Sequence, residues 1–367
     1  MRFGSRLRVA IRHPVVLALL AAFVPLGALI AKDDPPSDGP IVESLIVEPA
    51  SVVLHGSNRQ QQFVVTGTTR SGQPLDITRL CRFDSSDTKI VRAAEGLARG
   101  EHDGTAKVRV SYGKLTANVS VKVEGFANYP PVHFGNDLVP LFSKHGCNSG
   151  GCHGKASGQN GFRLSVFGFD PPADFDALLK EARGRRVFAA SPENSLLMLK
   201  ATGRVAHGGG RRIAADSLDA EVIRQWLLQG MPIGRPGTPT AVSIQVSPSE
   251  RVLGLKSQQQ ILTTAVYSDG SLRDVTAATG YSSNASQVAE VDSRGLVRTG
   301  AVPGEAAITV HYMGHVGAVR LQVPRPDAPN PYPTLPTSRE PPSLNFPCFL
   351  LQIVANCCAH PFWHRGC

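Results

Sequence analysis

The chain has 367 residues, of which 42% are hydrophobic and 18% are charged. This is the composition of a globular protein with two or three domains, and the apolar content excludes disorder throughout. Aromatic residues make up only 6%, against 36 glycines and 28 prolines, which favours short strands and many turns over a helical bundle. The net charge is +9, but the first 31 residues contribute four arginines and no acid, so the remainder carries no signature of nucleic-acid binding.

Residues 1–31 are typical of a secretory signal peptide. Their four arginines precede a 17-residue apolar run, Val15 to Ala31, and a polar, proline-rich stretch follows. The run is shorter than the roughly 20 residues that a membrane-spanning helix needs. We expect cleavage after Ala28 or Ala31, with an uncleaved N-terminal anchor as the alternative. Either outcome places the rest of the chain outside the cytoplasm, in the periplasm, at the cell surface or secreted.

Two segments of the chain, 41–125 and 240–324, repeat each other. The glutamines at 60–62 recur at 258–260, and Asp76-Ile77-Thr78 recurs as Asp274-Val275-Thr276. The offset between matching positions is 198 or 199 residues throughout, so one unit occurs twice. Apolar and polar residues alternate near the end of each copy, which predicts strands with one buried face. Each copy is therefore expected to be an antiparallel β-sandwich.

The repeats resemble the group 2 bacterial immunoglobulin-like family. The resemblance rests on the V-x-P opening, the Asp-Gly-Ser…Asp-Val-Thr step and the closing GLVRTGAVPGEAAITVHY of the second copy. It implies an immunoglobulin-like fold and leaves the function open, because such domains serve adhesins, spacers and enzyme appendages alike.

The segment between the repeats, 126–239, has a helical pattern. Helices are predicted from Phe134 to Lys144, from Asp174 to Ala182, from Ser191-Pro192 onward, and from Asp219 to Gln229. One helix before a cysteine motif and an apolar helix at the end is the layout of a small, mostly α cytochrome c-like domain.

The cysteine motif is Cys147-x4-Cys152-His153, a lengthened form of the C-x-x-C-H haem attachment signature. In that chemistry two thiols form thioethers with the haem vinyl groups, and the following histidine ligates the iron. Two alternatives remain open. Cys147 and Cys152 form a disulfide in an oxidising compartment, or His145, both cysteines and His153 hold zinc.

Residues 134–234 look like the haem domain of planctomycete-type cytochrome c proteins, in which immunoglobulin-like units flank such a domain. The matching stretches are HGCNSGGCHGKASGQNGFRLSVFGFDP, GRRVFAASPENSLLMLKATGRVAHGGGRR and IRQWLLQGMP. The resemblance implies haem c bound covalently by Cys147 and Cys152, with His153 as proximal iron ligand. The usual distal methionine is absent from its place, so His207 in a glycine-rich loop is the expected distal ligand, with Met198 as runner-up.

The tail, 325–367, continues neither pattern and is rich in proline and cysteine. The predicted fold class is therefore two all-β immunoglobulin-like sandwiches flanking a small, mostly α cytochrome c-like domain. The predicted function is an exported c-type haem electron-transfer protein with an unknown redox partner. The sandwiches are expected to contact cell-surface proteins or polysaccharides, and no nucleic acid. No catalytic constellation is visible, so an enzyme is not predicted. The alternative is a non-haem cell-surface or matrix protein in which Cys147 and Cys152 form a disulfide.

Overall fold

A computed structural model of the chain describes residues 39–56, 59–127 and 131–326. The predicted signal segment, 1–31, and all but the first two residues of the predicted tail lie outside the described residues.

The first repeat is built from ten short strands in three small sheets. In sheet order these are β1-β4-β5, β2-β10-β9-β6 and β3-β8-β7. The strands are β1 (Ser44–Glu48), β2 (Ser51–His55), β3 (Gln60–Gln62), β4 (Val64–Thr68), β5 (Pro74–Asp76), β6 (Arg82–Ser85), β7 (Val91–Ala94), β8 (Leu97–Gly100), β9 (Gly104–Tyr112) and β10 (Leu115–Glu124).

The second repeat has the same sheets, strand for strand. Its sheets are β11-β14-β15, β12-β20-β19-β16 and β13-β18-β17. The strands are β11 (Ala241–Ser247), β12 (Glu250–Val252), β13 (Gln258–Gln260), β14 (Leu262–Tyr267), β15 (Leu272–Asp274), β16 (Gly280–Ser283), β17 (Ala289–Val291), β18 (Leu296–Thr299), β19 (Gly304–Tyr312) and β20 (His315–Val323).

Period-two alternation explains the cores of both repeats. In β9 and β10, alternate residues are buried, among them the fully buried Val108, Val110 and Val121. Their neighbours, such as Lys107 and Lys122, are exposed. Because successive strand residues face opposite sides of a sheet, this pattern buries one face and leaves the other in water. The first repeat thereby forms one apolar cluster and the second repeat two, which are distinct from it.

Four short α-helices lie between the repeats. They are α1 (Val139–Lys144), α2 (Pro171–Leu179), α3 (Leu196–Ala201) and α4 (Leu218–Leu228). A π-helical turn, Phe134–Leu138, leads into α1. Ser217 caps α4 by accepting a hydrogen bond from the Ala220 amide, as N-cap residues do. The buried Trp226 of α4 packs against Phe134, with ring centroids 5.5 Å apart, and so joins the last helix to the first helical turn.

The helical segment packs against the second repeat. Helix α1 contacts β16 and β19. The Gly314 amide, in the turn between β19 and β20, donates a hydrogen bond of 2.8 Å to the Phe167 carbonyl. The Phe167 ring lies 4.4 Å from that of His311. Gly314 has a φ of +80°, and a Cβ there would lie 3.0 Å from the Cα of Phe169, so only glycine fits this turn without displacement.

The predicted fold class, with a separate mostly α cytochrome c-like domain between two sandwiches, is wrong. Strands far outnumber helical residues in the described part of the chain, and they form six small sheets. Helices α1 and α3 have only six residues each, and turns occupy much of the intervening chain. Such short helices derive their stability from tertiary packing rather than from propensity, and here part of that packing is supplied by the second repeat. The segment is therefore not a distinct helical domain.

A glycine pair tests the contact between the helical segment and the second repeat. Gly314→Ala introduces both a strained positive φ and a clash with Phe169. Gly270→Ala introduces the same φ of +80° with nothing within 4 Å. Both variants should lose about 1 kcal/mol from backbone strain, and Gly314→Ala should lose about a further 1–2 kcal/mol. Urea unfolding measures the free energy of each variant. Equal losses would show that the contact contributes nothing.

Candidate functional site

The cysteine motif forms a compact loop directly after α1. The Cys147 amide donates to the Phe142 carbonyl at 2.8 Å, and the His153 amide donates to the Cys147 carbonyl at 2.9 Å. These bonds fold the loop back so that its two ends meet. A Cβ at Gly150 or at Gly151 would meet nothing within 4 Å, so close packing does not require glycine at either position.

Both thiols of the loop are free and half-buried in this structure. Burial raises the pKa of Cys147 to about 11, although the nearby Arg212 opposes that shift. The Arg212 guanidinium lies 3.7 Å from the Cys152 sulfur, measured from Nη2 to Sγ. Arg212 thus contacts the second cysteine of the loop directly.

The structure brings the two predicted iron ligands together. The His153 and His207 ring centroids are 6.3 Å apart, with their planes inclined by 10°. Each ring is held through Nδ1, which is 2.9 Å from the Phe162 carbonyl in His153 and 2.9 Å from the Gly210 carbonyl in His207. Burial lowers the pKa of His153, and the Phe162 carbonyl partly offsets this effect. A backbone contact at one ring nitrogen fixes the orientation of the ring and leaves the other nitrogen available.

Two other residues of the sequence prediction have structural roles. Met198 is 1% exposed and belongs to the apolar core of the helical segment. His145 contacts the Asp219 carboxylate at 2.8 Å through Nε2, and Lys144 donates to the same oxygen at 2.8 Å. Burial raises the pKa of Asp219, but the hydrogen bonds from His145 and Lys144 outweigh it and the net pKa is lowered. These contacts join the end of α1 to the start of α4.

A second arrangement of polar groups lies between the repeats, and the sequence reasoning missed it. The Asp274 carboxylate of the second repeat accepts a hydrogen bond of 2.5 Å from the backbone amide of Gln62 in the first repeat. Reciprocally, the Asp76 carboxylate of the first repeat accepts a hydrogen bond from the Gln260 amide of the second. The two bonds join matching positions, because Gln62 corresponds to Gln260 and Asp76 to Asp274. We call these four residues the reciprocal face.

Each aspartate of the reciprocal face is held by its own repeat. The Oδ1 atom of Asp76 accepts from the Thr78 amide, and that of Asp274 accepts from the Thr276 amide, both at 2.8 Å. The other carboxylate oxygen, Oδ2, is then directed at the partner repeat. The repeated Asp-x-Thr and triple-glutamine motifs were therefore visible signals of this contact, but sequence spacing does not show that one motif meets the other.

Burial sets the electrostatics of the reciprocal face. It raises the pKa of Asp274 to about 6 and also raises the pKa of Asp76, while hydrogen bonds to both carboxylates partly offset the shifts. The two carboxylates are thus held in an environment that disfavours their charge.

Comparisons with known proteins provide one distant relative. No family model matches the chain. Ice-binding protein 1 of Shewanella frigidimarina (strain NCIMB 400) is 25% identical over 323 residues, which cover 72% of this chain and 36% of that protein. The chain thus spans about a third of the length of this curated relative.

Solved structures show only partial likeness to the chain. Domains 5–6 of the S-layer protein SbsC are 12% identical, with a TM-score of 0.31, over 78% of this chain and 100% of that chain. The Yersinia pseudotuberculosis adhesin InvE is 10% identical, with a TM-score of 0.16, over 78% of this chain and 60% of that chain. At these TM-scores the likeness carries no argument about function.

The predicted function, an exported c-type haem electron-transfer protein, is wrong. The curated relative is an ice-binding protein. In the residues that the structure describes, no group of three or more His, Cys, Asp or Glu side chains could hold a metal ion. The assignment to haem, iron and cytochrome c electron transfer is corrected accordingly. The individual roles of Cys147, Cys152, His153 and His207, and haem c as their cofactor, stay untested predictions.

The predicted location agrees in its coarser form, an extracellular or cell-surface protein, with the relative that the comparisons provide. In the described part of the chain, no helix combines the length and apolar character that a membrane span requires.

The raised pKa of Asp274 predicts a pH-dependent stability. A carboxyl group whose pKa is higher in the folded state stabilises the fold below its unfolded pKa, near 4, and this stabilisation is lost as the pH rises through about 6. Asp274 keeps some solvent contact, which weakens the effect. We therefore expect the free energy of unfolding to fall by about 1–2 kcal/mol between pH 4 and pH 7, less than the whole pKa shift would give.

Asp274→Asn removes this titration. Denaturant unfolding at pH 4 and at pH 7 gives the change in unfolding free energy with pH for the wild type and for Asp274→Asn. Comparing these two changes removes the overall cost of the substitution. Asp87→Asn, at an exposed turn, serves as the control. If the unfolding free energy of the wild type changes with pH as much as that of Asp274→Asn, the burial of this carboxylate is contradicted.

Proposed function

We propose that this chain is an exported, non-haem cell-surface or matrix protein whose two β repeats act as a docked pair of interaction and spacer units. The observation that carries the proposal is the reciprocal face. It holds two small repeats together, although 114 residues separate them in the sequence. A module that contacts other macromolecules gains from such a fixed arrangement, because less conformational freedom is lost when it binds.

The outer surface of the first repeat supports contacts with polymers. On the sheet β2-β10-β9-β6, the exposed side chains include Lys107, Arg109 and Lys122. Such side chains form charge-assisted hydrogen bonds with acidic groups. The partners that we propose are accordingly cell-surface proteins or polysaccharides. Ice binding, which the name of the relative describes, is less favoured for this face because its charged side chains are strongly hydrated.

In this proposal Cys147 and Cys152 form a disulfide after export. The His153-to-Cys147 backbone hydrogen bond brings the two ends of the loop together, which places the second cysteine near the first. Disulfides persist in oxidising compartments outside the cytoplasm. The two imidazoles beside the loop are then structural groups, each held by a backbone carbonyl.

The finer location belongs to the same proposal. The chain is exported through its N-terminal segment and is periplasmic, secreted or held at the surface, the last either through an uncleaved segment or through its partners.

Absorption spectroscopy and peptide mass mapping test this function together. The protein is matured by export in a host that is competent for cytochrome c assembly. We expect no c-type pyridine haemochrome band and a non-reduced peptide in which Cys147 is linked to Cys152. A c-type band that survives acid–acetone extraction would overturn the non-haem proposal.

Two variants make the result specific. Cys147→Ser with Cys152→Ser should remove the linked peptide. It should lower the free energy of unfolding by about 2 kcal/mol, because the closed loop is short. Cys81→Ser, in the buried core of the first repeat, should leave the linked peptide unchanged. If both Cys147 and Cys152 of the non-reduced wild-type protein can be alkylated, the proposed pairing is wrong.

A further inference from the structure

The reciprocal face has the properties of a self-complementary surface. Each repeat provides the same donor and the same acceptor. The donor is the backbone amide of a glutamine at the end of β3 or β13, and the acceptor is an aspartate carboxylate at the end of β5 or β15. The donor of one repeat meets the acceptor of the other in both directions. This is the contact pattern of a two-fold symmetric dimer interface, here formed within one chain.

Further contacts at this face extend the complementarity. The Gln259 side chain donates to the Asp76 carboxylate at 3.5 Å. Ser247 donates to the Glu48 carboxylate at 3.0 Å. Strand β13 also contacts β5, and β15 contacts β3. The contact is therefore made by matching elements of both repeats rather than by one isolated hydrogen bond.

The two repeats can separate without the loss of either core. The apolar cluster of the first repeat and the two clusters of the second contain no residue in common. The helical segment is held to the second repeat by the bond between Gly314 and Phe167 and by the packing of α1. The second repeat and the helical segment thus form one body, on which the first repeat docks through the reciprocal face.

We propose that the reciprocal face is also the binding site for a second copy of this chain, by exchange of the first repeat. In the exchanged dimer, the first repeat of each copy docks on the second repeat of the other copy. Every hydrogen bond of the closed chain is then remade between copies. This inference goes beyond the proposed function and does not depend on the state of the cysteine loop.

Concentration decides which form is populated. In the closed chain, the tethered first repeat docks as an intramolecular partner at an effective concentration of about millimolar. Because both forms contain the same contacts, copies compete with the internal partner when their own concentration approaches this value. A surface layer or a matrix concentrates copies in this way, so the same face would join neighbouring chains there.

Light scattering coupled to gel filtration tests the proposal on the full chain. Between about 10 µM and about 1 mM, the dimer fraction should rise at least tenfold. Native mass spectrometry of a mixture of isotopically light and heavy chains should show mixed dimers. A chain that stays monomeric at about 1 mM overturns the proposal.

Variants of the aspartates identify the surface that is used. Asp76→Asn with Asp274→Asn breaks the reciprocal bonds in the closed and the exchanged forms alike, so the first repeat undocks in both. An undocked monomer then replaces both forms, and the dimer fraction should fall at least fivefold. Either single variant should give an intermediate value, and the single variants decide the question if circular dichroism shows that the double variant does not fold. The control, Asp87→Asn with Asp269→Asn, changes two exposed turn residues and should dimerise like the wild type. A dimer that persists equally in the aspartate variants would show that another surface forms it.

Discussion

The hydrogen bond between a half-buried aspartate and a backbone amide of the other repeat is the interaction on which the arrangement of this protein depends. Each such carboxylate has one oxygen bound within its own repeat and one directed at the other repeat. Removing a carboxylate from water is costly unless its oxygens find donors. The Asp-x-Thr turn and the triple-glutamine strand provide these donors, and both motifs occur in both copies of the repeat. The duplication of one unit has thus produced two surfaces that fit each other.

The helical segment depends on the second repeat for part of its packing. Its helices are short, and its contact with the second repeat includes a glycine turn in which a side chain would clash with Phe169. The cysteine loop starts at the end of α1, so its position depends on the same packing. The first repeat, in contrast, is connected to this body through a polar face. A polar face can be broken and remade in water with less cost than an apolar one, which makes it suited to exchange between copies.

Part of this organisation could be predicted from the sequence. The constant offset revealed the repeats, and the alternation of valines in β10 and β20 revealed their strands. The last helix was also predicted, from Asp219 to Gln229, and is observed from Leu218 to Leu228. The cysteine motif indicated a compact loop, and the structure does bring His153 and His207 together beside it. What the spacing could not supply was the chemistry of that loop, because a C-x4-C-H pattern is shared by haem attachment and by a simple disulfide.

The contact between the repeats could not be predicted. Its partners lie about 200 residues apart in the chain, and the alternation of buried and exposed residues does not determine how two β units dock. The same holds for the packing of α1 on β16 and β19. Backbone amide exchange provides the most direct test of the reciprocal face, because the Gln62 and Gln260 amides donate to the other repeat. In the native full chain, both amides should exchange slowly and at similar rates. Exchange of either amide as fast as that of the exposed Ser71 turn would contradict the account.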